Sequence, residues 1–250
     1  MNQELYQYTL RLADTALILS HRLCEYTSCG PFLEEDLASM NTGLDLIGQA
    51  EAFLKYAAEM SGNTNEDKLA FQRNEEDYKN FHIVEYPNTD FGYLVTRQFY
   101  MDVFNYFNYS QLVNSKDVTI AAIAGKAIKE VTYHLKRSSE WIVRLGDGTA
   151  ESKERIQACL NDLWMYVDEF FETDEIHENL QRQGIAADLD VIRKQWHQKV
   201  EEVLQEATLT KPEGAKYSLV YGKDGGHTEY MGFILCEMQY LNNRYPEAIW

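Results

Sequence analysis

Two short stretches carry the chemistry to be explained. Glu130-Val131-Thr132-Tyr133-His134 and Asp45-Leu46-Ile47-Gly48-Gln49 share a spacing. Each reads as Asp-Glu-x-x-His with metal-binding residues replaced. A Glu-x-x-His on a helix puts carboxylate and imidazole on one face, because positions i and i+3 are neighbours there. Two such helices, with a lone carboxylate from each of two others, hold a pair of bridged metals inside a four-helix bundle. Here Leu46 stands at the first Glu position and Gln49 at the first His position. Val131 stands at the second Glu position, and only His134 is kept. The lone carboxylates belong about thirty residues upstream of each motif, where the chain has Asp14 and Gln98 on inward stripes. The six positions thus read Asp14, Leu46, Gln49, Gln98, Val131 and His134. Leucine and valine bind no metal and an amide is a poor ligand, so the spacing describes a scaffold that has lost its metal site. It assigns no catalytic residue and no bound metal to this chain.

Each residue also has a simpler reading. His134 on an apolar face fits a hydrogen-bonded core histidine, with Asp14 or Gln49 as its partner. Asp45 and Glu130 fit either pairs with Arg11, Lys126 or Lys129, or solvated helix-face charges. The rival is a metal-dependent oxygenase with a shifted, reduced ligand set: Asp14, Asp102, Glu130 and His134. Asp102 belongs to that set because it lies one turn from Gln98. A third reading is a carrier of an apolar ligand in a bundle cavity. Gly222-Lys223-Asp224-Gly225-Gly226 follows no strand and is no phosphate loop. His227 and Glu229 read as the start of a helix. His177 and His197 lie on charged helices with no Cys or His at ligand spacing.

Positioning these residues requires long helices, and the periodicity predicts them over 3–27, 32–61, 90–115 and 117–145. Leu5, Leu12, Leu19 and Leu23 stripe the first. Ile120, Ala124, Ala127, Val131, His134, Ser138, Trp141 and Leu145 stripe the fourth. Gly43 and Gly48 weaken the second helix by about 1 kcal/mol each, which close approach of a neighbouring backbone would offset. Asp90 or Thr89 can cap the third helix, and Gly146 can end the fourth as its C′ residue. The aromatic residues of the third helix read as core or partner interface. Residues 64–90 are polar and irregular, with a short helix near 66–72. Further helices are expected over 150–171, 174–183, 188–208 and 228–243, with a loop over 209–228. Four long helices with a long crossover after the second match the ferritin-like plan. The expected fold is therefore all-α: a ferritin-like four-helix bundle with additional C-terminal helices. It is read as a single domain over 1–250, with the core bundle at about 3–145 and the extra helices at about 150–243.

Bulk properties narrow the partners. With 23 Lys and Arg against 40 Asp and Glu, the net charge is −17, which repels phosphate backbones and anionic membranes. Nucleic acid and membrane are excluded on that ground, and a basic partner is favoured. Only 14 Gly and 4 Pro leave long stretches free of breakers. The amino terminus has acid and amide groups where a signal peptide needs a basic region, and no apolar run reaches the length of a membrane span. Cys24, Cys29, Cys159 and Cys236 show no zinc spacing and read as reduced thiols. A cytoplasmic protein is expected.

Five stretches together carry a resemblance: YTLRLADTALILSHRL at 8–23, GLDLIGQA at 43–50, AIKEVTYHL at 127–135, RLGDGT at 144–149 and HTEYMGFILCEMQYL at 227–241. The chain resembles, nearly end to end, the C subunits of the multicomponent phenylacetyl-CoA epoxidases (phenylacetate-CoA oxygenases) of phenylacetate degradation. The resemblance implies a structural, ferritin-like subunit that pairs with a related catalytic A subunit. In that family the A subunit holds the di-iron centre and binds the CoA substrate. A separate reductase delivers electrons from NADPH, and the aromatic ring is epoxidised with dioxygen. The iron is therefore expected in the partner, and this chain itself is expected to bind no cofactor. The expected partners are the A subunit and the other subunits including the reductase, or a second copy when the chain is alone. No active-site residue of the family carries over, because those positions are substituted.

Overall fold

The computed structural model describes residues 2–214, 221–246 and 248, and among these every regular element is helical. The helices are α1 (Gln3–Glu25), α2 (Leu33–Ser61), α3 (Glu66–Phe71), α4 (Phe91–Leu112), α5 (Val118–Gly146), α6 (Ala150–Trp164), α7 (Glu175–Arg182), α8 (Leu189–Glu206) and α9 (Met231–Arg244). Their starts follow from local chemistry. Side chains of Asn2, Asn65, Asp90, Asp117, Thr149, Asp174 and Asp188 accept hydrogen bonds from backbone N–H groups of the first turns of α1, α3, α4, α5, α6, α7 and α8. Those N–H groups have no partner within the helix itself. Glu34, Glu35 and Asp36 favour the positive end of α2, and Gly62 stops it at φ +72°.

The chain divides into two compact units, Met1–Pro87 with Leu219–Trp250, and Asn88–Ser218. In the first, α1 and α2 pack along their length as a hairpin. Ala13, Ile18, Leu19, Phe53 and Ala57 are fully buried in this unit. Gly43 lies against α1: a Cβ there would sit 3.1 Å from Cys24 Sγ and 3.5 Å from the Ser20 carbonyl oxygen. The expected close approach is therefore present at Gly43. It is absent at Gly48, where a Cβ would meet nothing within 4 Å. Helices α3 and α9 and three 3₁₀ turns, Glu75–Asp77, His82–Glu85 and Gly222–Asp224, complete the described part of the unit.

In the second unit α4 packs on α5, α6 and α8. Four aromatic residues of α4, Phe99, Tyr100, Phe104 and Tyr109, are buried in the core, while Phe91, Tyr93, Tyr106 and Phe107 are half-buried. Trp196 of α8 is their hub. Its indole N–H donates to the Tyr100 carbonyl at 3.0 Å, and the rings of Tyr100, Trp164 and Phe171 lie 5.5 to 5.8 Å away. Such a cluster adds edge and offset ring contacts to the burial of large apolar area.

Three expectations are corrected. The helix expected over 150–171 ends at Trp164 and resumes as a 3₁₀ turn, Val167–Phe171. Phe170 and Phe171 both pack about Trp196, and the tighter turn lets two consecutive rings do so. Gly146 is the last residue of α5 rather than its C′ residue. Its missing Cβ makes room for the Ala207 carbonyl, which would stand 2.4 Å from such an atom. The final helix begins at Met231, so His227 and Glu229 precede it. Of the expected loop, 209–214 is irregular, Gly222–Asp224 is a 3₁₀ turn, and 215–220 lies outside the described residues.

Candidate functional site

The six positions fall three in each unit: Asp14, Leu46 and Gln49 in the first, Gln98, Val131 and His134 in the second. All six are buried.

In the first unit the Asp14 carboxylate is fully buried and already claimed. Arg73 donates to it from both terminal nitrogens, one bond at 2.9 Å, and the Lys79 backbone N–H donates to Asp14 Oδ2 at 2.9 Å. A forked guanidinium on a carboxylate is among the strongest hydrogen-bonding arrangements available. Arg73 also donates to the Asp77 carbonyl at 3.0 Å and lies 4.1 Å over the ring of Tyr78. Burial opposes the charge on Arg73, but Asp14 outweighs it and holds the guanidinium pKa above its ordinary value. Burial pushes the Tyr78 hydroxyl up to about 12, and that hydroxyl donates to the Ala70 carbonyl at 2.6 Å. Asp14 is thus tied to Arg73 and Lys79. Arg73 was not singled out in the sequence, because it sits in the polar stretch 64–90 with no periodicity to mark it. Leu46 offers only hydrocarbon, and Gln49 an amide.

The second unit holds a different cluster. Gln98 donates to Asp102 Oδ1 at 2.6 Å within α4. Burial pushes the Asp102 carboxyl up to about 6 from its ordinary 3.8. The Gln98 hydrogen bond and the nearby His134, Ser138 and Arg137 all pull it back down. His134, Arg137 and Ser138 come from α5, one to two turns along from Val131. Asp102 therefore stands within charge reach of His134, while Gln98 is its hydrogen-bonding neighbour on α4. Glu130 is elsewhere engaged, 4.0 Å from Lys126 one turn away.

A third polar centre was missed entirely. Glu85 is fully buried and takes four hydrogen bonds on its carboxylate. Asn80 Nδ2 donates at 2.8 Å, Thr228 N at 2.7 Å and Thr228 Oγ1 at 2.6 Å, and His227 Nδ1 lies 2.7 Å away. His227 Nε2 lies 3.2 Å from the Tyr78 carbonyl, and Arg22 Nε donates to the Glu85 carbonyl at 3.1 Å. His227 stands 142 residues from Glu85 in the chain, so no local spacing could announce the pair.

These donors do not fit a pair of bridged irons. Such a centre needs about four carboxylates and two imidazoles converging. Two of the six positions are hydrocarbon, two are amides, and the Asp14 carboxylate is neutralised by a guanidinium. Among the described residues, no group of three or more His, Cys, Asp or Glu is placed to hold a metal ion. The four cysteines are free thiols. No helix among the described residues is long and apolar enough to cross a membrane.

Comparison with known proteins agrees with the resemblance drawn from the five sequence stretches. The family model described as phenylacetic acid catabolic protein matches residues 1–250. The chain is 45% identical over 250 residues to the C subunit of the 1,2-phenylacetyl-CoA epoxidase of Escherichia coli (strain K12), with both chains covered completely. An all-α chain with two long helical hairpins, matched along its whole length, thus belongs to the phenylacetic acid catabolic protein family.

Proposed function

We propose that this chain is the non-catalytic, structural subunit of a phenylacetyl-CoA epoxidase complex. In this reading it pairs with a related di-iron A subunit, stabilises it and shapes access of the substrate. The observation that carries the proposal is the fate of the paired-Glu positions: both are hydrocarbon, Leu46 and Val131, and both are buried. Asp14 and its guanidinium partner support it, since an arginine holds the carboxylate in place of a metal ion. The full-length similarity to a subunit of such an epoxidase supplies the setting. The proposal includes a single ferritin-like domain, a cytoplasmic location, no metal on this chain, and the reductase among the other subunits of the assembly.

Reconstitution tests it. Purified A subunit is assayed with reductase, NADPH and phenylacetyl-CoA, with and without this chain, and each chain is analysed for iron. Iron is expected on the A subunit alone, with epoxidation falling when this chain is omitted. An A subunit that is fully folded and active without it would end the proposal.

A second reading rests on Asp102 lying within charge reach of His134. It makes the chain an oxygenase in its own right, with the shifted set Asp14, Asp102, Glu130 and His134. Stoichiometric iron on the isolated chain, lost in His134→Ala, is its signature. The salt bridges of Asp14 and Glu130 weigh against it.

A further inference from the structure

Helix α2 is apolar on two opposite sides. Its inner side buries Ser39, Thr42, Leu46, Gln49, Ala50 and Phe53. Its outer side carries Leu33, Leu37, Met40, Leu44 and Ile47, spaced four, three, four and three residues apart. At 100° per residue these five lie within about 40° of one line, almost opposite Leu46. Leu33 is 68% exposed, Leu37 46%, Leu44 56% and Ile47 38%. An alternating three–four repeat is the seam one helix presents to another. A surface helix with one core to serve keeps its outer side polar.

Gly48 borders the same seam. Among the described residues nothing lies within 4 Å of where its Cβ would be, so no contact among them accounts for a glycine in mid-helix. A helix laid along the seam would come close there.

Charge chooses the occupant. Over Leu33–Ser61 the helix has six acidic residues, Glu34, Glu35, Asp36, Asp45, Glu51 and Glu59, against one basic residue, Lys55. The whole chain carries −17. A second copy would bring like charges to both rims, at separations that salt does not fully screen. A seam flanked by Lys and Arg would find complementary rims.

We propose that the outer face of α2 is the docking surface for a helix of a different chain, apolar along one seam and basic on its flanks. The inference rests on the reading of this chain as a complex subunit and names the surface through which it pairs.

The test measures binding of the full-length chain to the purified A subunit. The variants are Leu37→Lys with Leu44→Lys, and the milder Leu37→Gln with Leu44→Gln. The control is Phe233→Lys with Tyr240→Lys, another exposed apolar pair, on α9. Circular dichroism and thermal unfolding verify that each is folded. Affinity should fall about tenfold or more in both α2 variants and less than about twofold in the control, and wild-type affinity should weaken as salt rises. Equal binding by wild type and α2 variants overturns the surface but leaves the subunit reading standing. No binding by wild type to a folded A subunit removes both. A wild-type homodimer that the α2 variants dissociate, with their hold on the A subunit unchanged, assigns the face to a second copy and overturns the inference.

Discussion

The two units solve one problem in opposite ways. Each has a long helical hairpin, and each hairpin buries a carboxylate on its first helix: Asp14 on α1 and Asp102 on α4. In the first unit a guanidinium from outside the hairpin and a backbone N–H both donate to the carboxylate in fixed geometry. In the second the neighbours are an amide, a hydroxyl and more diffuse positive charge, and burial wins, lifting the carboxyl to about 6. The lesson is that burial alone does not set the cost of a charge. The cost depends on whether donors arrive in fixed geometry.

The largest effect expected comes from breaking the first arrangement. Arg73→Met leaves the Asp14 carboxylate buried without its counter-charge, and should lower unfolding free energy by about 3–5 kcal/mol in urea titrations. Adding Asp14→Leu should restore most of that loss, because no charge is then left stranded. A double variant as unstable as the single one would break the comparison.

The second arrangement predicts a pH dependence of known sign. The Asp102 carboxyl ionises at about 6 in the folded chain against an ordinary 3.8. From about pH 4 to 6 the folded state keeps a proton that the unfolded state has released, so stability falls as pH rises and levels off above the folded value. Asp102→Asn should remove this slope. The wild-type minus variant stability should shift by about 3 kcal/mol between acid and neutral pH, measured by urea unfolding across that range.

A smaller effect is expected where the carboxylate is satisfied by segments far apart in the chain. Glu85→Gln turns two acceptor oxygens into one acceptor and one donor, facing Thr228, Asn80 and His227. A loss of about 2 kcal/mol should follow, with faster hydrogen exchange across 226–244 than across α4 and α5. Exchange that quickens equally in both units would show that the effect is not local. The smallest effect compares two glycines of one helix. Gly48→Ala should stabilise the isolated chain by about 0.5–1 kcal/mol, because nothing opposes the new methyl. Gly43→Ala should gain less or lose, because Cys24 and Ser20 crowd it.

The sequence alone determined the long helices and most of their starts. Asp90, Asp117, Thr149 and Asp188 sit where the apolar period begins, and capping is a local bond over two or three residues. It also set the greasy character of Leu46 and Val131, since a side chain's donor inventory does not depend on the fold. Only the tertiary structure decided what the buried polar groups touch. Asp14 finds Arg73, 59 residues away, and Glu85 finds His227, 142 residues away. Neither pairing leaves a periodic trace, because a salt bridge across such distances is selected by the whole packing rather than by any window of chain. The same reason hid the role of Gly146, whose special feature is a carbonyl that arrives from Ala207.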